Sequence, residues 1–278
     1  MITDRGKSFI KRYLANQSGA LVGAMSVGIG NAPVVSTDER MQFEFARVPV
    51  IVTDYDFTND ELIFKSTLPE EVGGTIYEIG LWTDEVNSGP GNQESRLLTS
   101  FDSDTEDWSV ETFATGNTRI GDDSLILTPA ASGTSTSVLT GISLDLVDFT
   151  SLDTFILAYY VGNANAANVT IRLRTDSSNY YEFTITNPTA GYKFASFQKG
   201  MANVVGSPDW FDINEIEVST TAGAGGAASV QFDGLRIEDV DSLSPEYGLI
   251  ARFVLQSSIV KAEGTVQDIE YALPVNIS

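Results

Sequence analysis

Neither cysteine nor histidine occurs anywhere in the 278 residues. Their absence removes disulfides, thiolate nucleophiles, Ser-His-Asp triads and ordinary zinc sites together, and it leaves the redox compartment unmarked. Positive charge is scarce as well. Sixteen Lys and Arg stand against 38 Asp and Glu, for a formal net charge of −22. Such a surface repels nucleic acid and anionic membranes, and it favours solubility and divalent cations. No apolar run approaches the roughly 20 residues that cross a bilayer. The opening Met1-Ile2-Thr3-Asp4-Arg5-Gly6-Lys7 lacks the apolar centre of a signal peptide. The expectation is therefore synthesis in the cytoplasm with neither a nucleic-acid nor a membrane partner, any extracellular exposure following from assembly or lysis.

What is present describes a folded, mainly β protein. Hydrophobic residues make up 42% of the chain and aromatics 10%, enough for real cores, and the length suits two ordinary domains. Thr3 is placed to cap a helix running to about Ala15, with Asp4 in its first turn. Phe9, Ile10, Tyr13 and Leu14 fall on one face at helical spacing. Arg5, Lys7, Lys11 and Arg12 cover the rest, so four of the sixteen basic residues lie within the first twelve positions. That face is either solvated and packed against its own acidic domain or a docking surface for an acidic neighbour.

Strand patterns follow at Val27-Gly28-Ile29-Gly30, Met41 to Ala46, Val48 to Val52, Leu62 to Lys65 and Thr75 to Trp82. The breaker cluster Asn87-Ser88-Gly89-Pro90-Gly91-Asn92 then interrupts the chain. From Arg96 to Ser242 a self-contained set of about eight short strands appears, without a convincing helix. Its clearest part is a hairpin. Val169, Ile171 and Leu173 alternate with Thr170, Arg172 and Arg174, the turn Asp176-Ser177-Ser178-Asn179 follows, and Tyr181, Phe183 and Ile185 alternate with Tyr180, Glu182 and Thr184. The stretch Thr221 to Ala228, rich in small residues, reads as a loop. Strand patterns resume at Leu249 to Leu255 and at Ile269, Tyr271, Leu273, Val275 and Ile277, which alternate without a miss. Two strands cannot form a stable domain alone, so they are expected to complete the sheets begun by residues 41–82. The fold class expected is mainly β, with an N-terminal helix. An antiparallel host domain is split over residues 1–95 and 243–278, and a two-sheet antiparallel sandwich is inserted at 96–242. The inserted stretch carries 20 acidic against 7 basic side chains.

The flanking stretches resemble the amino-terminal domain of bacteriophage virion proteins of the tail-fibre and collar kind. The resemblance rests on the Ile2-to-Lys7 opening, Val27-Gly28-Ile29-Gly30, Met41-Gln42-Phe43-Glu44-Phe45, Phe64-Lys65-Ser66-Thr67-Leu68-Pro69-Glu70 and Ile76-Tyr77-Glu78-Ile79-Gly80-Leu81. It covers about 95 residues and the C-terminal tail. The inserted stretch resembles jelly-roll sandwiches of the galactose-binding and carbohydrate-binding-module type, on Phe101-Asp102 through Trp108, Pro208-Asp209-Trp210-Phe211-Asp212-Ile213-Asn214-Glu215-Ile216 and Val230-Gln231-Phe232-Asp233-Gly234-Leu235-Arg236-Ile237. Together these imply a homo-oligomeric virion protein whose split domain docks with other virion proteins, with Arg5, Lys7, Lys11 and Arg12 as candidate docking residues. They imply an inserted module displayed toward bacterial surface glycans or packed against neighbouring subunits. A capsid decoration or head-fibre protein with a purely structural role is the alternative, and a polysaccharide depolymerase a remoter one. The second resemblance also implies a structural calcium held by Asp102 and Asp233 with Asp104 or Glu106 nearby, against which stands an acidic solvated turn. No cofactor is required.

A sugar site needs an aromatic platform with polar neighbours. The outward hairpin face offers Tyr180 beside Arg172, Arg174 and Glu182, and Tyr192 and Trp210 are within reach from loops. The competing assignments are an Arg172–Glu182 cross-strand ion pair and core positions for Trp108 and Trp210. Catalysis has little support. Thirty-eight acidic residues make accidental carboxylate pairs inevitable, and none is singled out. Gly28-Ile29-Gly30 begins like a dinucleotide loop, but Pro33 stands where the third glycine belongs. A non-enzymatic protein is expected.

Overall fold

The computed structural model describes residues 1–15, 22–83, 96–103, 106–109, 112–239 and 248–274. It divides into two compact units, Met1–Ser88 with Ser242–Ser278, and Gly89–Asp241. Chain order begins with helix α1 (Asp4–Leu14) and strands β1 (Ala24–Gly28), β2 (Glu44–Pro49), β3 (Val52–Asp56), β4 (Glu61–Leu68) and β5 (Gly74–Trp82). The second unit holds β6 (Arg96–Thr99), β7 (Phe113–Ala114), β8 (Ser124–Leu127), β9 (Thr134–Leu144), β10 (Thr154–Val161) and β11 (Ala166–Asp176). It continues with β12 (Asn179–Thr186), β13 (Gly191–Gln198), β14 (Asn203–Val205), β15 (Ile213–Ala222) and β16 (Val230–Glu238). Strands β17 (Leu249–Lys261) and β18 (Gln267–Pro274) return to the first unit. Every strand pairing is antiparallel, and no described helix is long and apolar enough to cross a membrane.

The first unit packs two sheets, ordered β17-β5-β1-β2 and β18-β4-β3, around one core. The last two strands find their partners far back in sequence, β17 on β5 and β18 on β4. Alternation in β18 does what it should: Ile269, Tyr271 and Leu273 are buried while their neighbours are exposed. Pro49 ends the edge strand β2, where its missing N–H costs no ladder bond. Thr3 caps α1 by accepting from the Gly6 backbone N–H, and its hydroxyl donates to the Leu249 carbonyl. The apolar helix face is only half used. Phe9 is buried, whereas Tyr13 and Leu14 stay 44% and 73% exposed.

Glu78 organises this unit from within. Its carboxylate is fully buried and accepts from the backbone N–H groups of Gly30, Gln42 and Phe43 and from Arg252 Nε at 2.6 Å. Arg252 in turn donates to Asp38 and to the Ala32 carbonyl. A Cβ on Gly30 would stand 2.3 Å from Glu78 Oε1. The glycines of Gly28-Ile29-Gly30 therefore make room for an internal carboxylate and for the Phe43 backbone.

Among the described residues the second unit is a two-sheet sandwich of eleven strands, more than the eight or so expected. One sheet runs β13-β10-β16-β8-β7, with β6 also on β16, and the other runs β14-β12-β11-β15-β9. Phe155, Leu157, Tyr159, Phe232 and Leu235 from the first meet Val169, Ile171, Leu173, Phe183 and Val218 from the second. Trp108 is a core residue, stacked on Phe101 at 4.9 Å between centroids. Strand β9, rich in Thr and Ser, is an edge strand with little apolar pattern of its own. Thr221 and Ala222 extend β15, so the loop between β15 and β16 is shorter than expected.

Candidate functional site

The five-stranded sheet turns Val169, Ile171 and Leu173 inward, so Thr170, Arg172 and Arg174 of β11 face outward. Register aligns their neighbours in rows across the strands. Arg172 lies opposite Glu182 on β12 and Glu217 on β15, and Arg174 lies opposite Tyr180 and Glu215. The result is a continuous charged band. Arg172 Nε donates to Glu182 at 2.7 Å, and Arg172 Nη1 and Arg174 Nη1 each donate at 2.6 Å to a different oxygen of Glu217. Arg174 also stands 3.3 Å from Glu215. Burial pulls the Arg172 pKa down, but the Glu182 and Glu217 carboxylates outweigh it and hold it above its ordinary value. The Arg172 guanidinium sits 4.7 Å from the centroid of the half-buried Tyr180 ring, a cation–π contact. Asn203 of β14 donates to the free side of Glu182.

Beside this band runs a hydroxyl row, Thr184, Thr170, Ser219 and Thr136, one residue from each of four strands. A second row holds Thr186, Asn168, Thr221 and Thr134. Hydroxyl pairs bond across strands, Thr170 with Thr184 at 3.2 Å and Thr134 with Thr221 at 3.0 Å. The face is thus polar, with one aromatic ring at its edge. It can stack a sugar ring on Tyr180 and hydrogen-bond hydroxyl groups.

The structure brings Tyr180, Arg172, Arg174 and Glu182 together and separates Tyr192 and Trp210 from them. Tyr192 lies on β13 of the other sheet, its OH donating to the buried Asp233 and its ring under Arg119 at 3.8 Å. Trp210 stacks on Tyr181 at 3.6 Å between centroids and packs on the core, with Lys199 Nζ 4.9 Å from its ring. Sequence reasoning missed Glu217 and Glu215. Their signal was there, since both alternate with the buried Ile216 and Val218 of β15.

The acidic candidates are engaged elsewhere. Asp233 accepts from the Arg119 and Ile120 backbone N–H groups as well as from Tyr192, and Asp102 accepts from the Asp122 N–H. Glu106 accepts from Ser100 N, Phe101 N and Trp108 Nε1, at 2.9, 3.0 and 2.9 Å, clasping the exit of β6. Asp104 lies outside the described residues. Among the described residues no group of three or more carboxylates gathers where it could hold a metal ion. Burial raises the Asp233 pKa from 3.8 to about 7 against the pull of its hydrogen bonds.

The basic helix residues divide as well. Lys7 pairs with Asp4 at 2.8 Å and Arg5 with Glu39 at 3.9 Å; Lys11 is exposed and Arg12 half-buried.

No protein-family model matches the chain. No curated protein matches it either. Solved structures to which it is similar include a family 11 carbohydrate-binding module of cellulosomal cellulase Lic26A-Cel5E of Clostridium thermocellum, at 12% identity and TM-score 0.39, covering 52% of this chain and 95% of that one. A family 30 carbohydrate-binding module of cellulosomal cellulase Cel9D-Cel44B of the same organism aligns at 15% identity and TM-score 0.34, over 52% and 87%. PfGH50B aligns at 8% identity and TM-score 0.34, over 49% of this chain and 22% of that chain's length.

Proposed function

We propose that the protein is a non-catalytic attachment protein of a phage particle, with one unit that anchors and one that is displayed to bind a surface glycan. The observation that carries this reading is topological. A two-sheet sandwich, eleven strands among the described residues, lies between β5 and β17, whose facing residues Trp82 and Leu249 are paired neighbours in one sheet. Such an arrangement adds a whole binding module while leaving the first unit's sheet intact. Anchoring falls to the first unit, where Lys11, Tyr13 and Leu14 leave the end of α1 exposed to an acidic or apolar neighbour. Several copies at one station follow from the symmetry of such particles. Glycan binding falls to the Tyr180 face, which offers an aromatic ring beside rows of hydroxyl and amide groups.

Two measurements test the reading. Full-length protein applied to a glycan array and to bacterial cells should bind, and Tyr180→Ala should abolish binding. Its melting temperature should stay nearly unchanged, because the lost cation–π contact is worth roughly 1 kcal/mol or less at a partly exposed site. Retained binding by Tyr180→Ala would remove this face from the reading. Reconstruction of the intact particle should locate the chain on its surface, and absence from the particle would end the virion part.

A further inference from the structure

The charge arrangement of the Tyr180 face selects among glycans, an inference that rests on the glycan-binding reading above. Anionic saccharides are usually held by arginine, whose planar fork grips a carboxylate or sulfate through two parallel hydrogen bonds. This face has two arginines at its centre, and composition alone would point to an acidic sugar. Geometry says otherwise. Arg172 spends Nε on Glu182 and Nη1 on Glu217, and Arg174 spends Nη1 on Glu217 with Glu215 close to its Nε. Two cations therefore face three carboxylates.

Glu217 is the centre of this arrangement. Its side chain is only 10% exposed, and each of its oxygens holds one guanidinium, so it ties the two forks together. A carboxylate arriving from solvent would find N–H groups left on each fork, but it would meet them within a band of three carboxylates and two cations, negative in net charge. The whole chain adds to this at −22. A neutral sugar meets no such cost. Its ring has the Tyr180 face, and its hydroxyls have Asn203, Thr170 and Thr184 alongside, groups that exchange hydrogen bonds with hydroxyls without desolvating an ion.

We infer that Glu217 is a specificity-determining residue which, by holding both Arg172 and Arg174, restricts the face to neutral glycans and excludes uronate- and sulfate-bearing ones. Full-length protein is titrated with a neutral β-glucan, a neutral galactan, and the anionic polymers alginate and polygalacturonate, at low and at physiological salt. Wild type should bind at least one neutral polymer with affinity insensitive to salt, and neither anionic one. Glu217→Gln removes one negative charge and leaves a single acceptor oxygen for the two arginines, and it should gain affinity for the anionic polymers by about 2- to 5-fold over any wild-type background, the worth of a surface charge pair, with the gain fading as salt rises. Glu182→Gln, at a more exposed position, removes a charge beside Arg172 alone and should give a smaller gain; it stands in should Glu217→Gln not fold. Preferential binding of alginate or polygalacturonate by wild type would overturn the neutral selection while leaving a glycan face in place. Neutral binding with no anionic gain in either folded variant would overturn the role of Glu217. Binding of no polymer at all would overturn the glycan reading itself.

Discussion

Asp233 is a carboxyl held almost entirely out of water. It is 1% exposed, on β16, and it gathers the Arg119–Ile120 turn and Tyr192 of β13 onto that strand. Burial raises its pKa from 3.8 to about 7. A carboxyl with a raised folded-state pKa binds its proton more tightly folded than unfolded. Its contribution to stability is therefore fully present below about pH 4 and is lost as pH climbs through about 7. Asp233→Asn keeps the shape and cannot titrate. The difference in melting temperature between wild type and Asp233→Asn should move against wild type as pH rises from 4 to 7, measured by thermal denaturation in a pH series. A difference constant across that range would mean that Asp233 titrates normally. Gly121 belongs to the same turn. At φ +67° a Cβ there would stand 1.8 Å from Asp102 Oδ2, so both backbone and space require glycine.

At the scale of elements, cross-strand ion networks fasten both units, but at different depths. Glu78 and Arg252 join β5 to β17 in the interior of the first unit, and Glu78 also holds the backbone of residues 30–43. Removing one partner of a buried pair leaves the other charged and unpaired, at a cost of about 3–5 kcal/mol. Glu78→Ala should lower the urea midpoint of the first unit accordingly, and Glu78→Ala combined with Arg252→Met should recover part of the loss. Equal losses in the single and double variants would mean that the carboxylate matters for its backbone contacts alone. The Arg172–Glu217–Arg174 band lies on an outer face, partly covered, with Arg172 the most exposed of the three at 32%. That placement makes it fit for selecting a ligand, and the depth of Glu78 makes it fit only for holding the sheet.

At the scale of the molecule, the inserted unit leaves from and returns to paired positions. Residues facing each other across an antiparallel pair have Cα atoms about 5 Å apart, and Trp82 faces Leu249. Replacing residues 84–247 with a short Gly/Ser linker should therefore leave the first unit folded. Its β-rich circular dichroism and a cooperative melt should both survive. A noncooperative melt would show that the first unit depends on the insertion. Expressed alone, residues 96–239 should fold around their own aromatic core.

Much of this protein is written locally. The absence of cysteine and histidine, the Thr3 cap, and the strict alternations of β11, β12 and β18 follow from composition and period, which neighbours in sequence carry by themselves. The outward placement of Tyr180, Arg172, Arg174 and Glu182 was legible for the same reason. Strand β9 was not, because Thr and Ser on an edge strand carry almost no burial signal. Nor could periodicity show that Tyr192 and Trp210 stand apart from Tyr180, or that Tyr13 and Leu14 lack cover. Only the tertiary structure joined Glu217 to both arginines and turned Gly28 and Gly30 toward Glu78. Those contacts span about 45 residues in each case. A strand's own period decides which side chains share a face, but its neighbours across the sheet come from distant sequence, and they decide what those side chains touch.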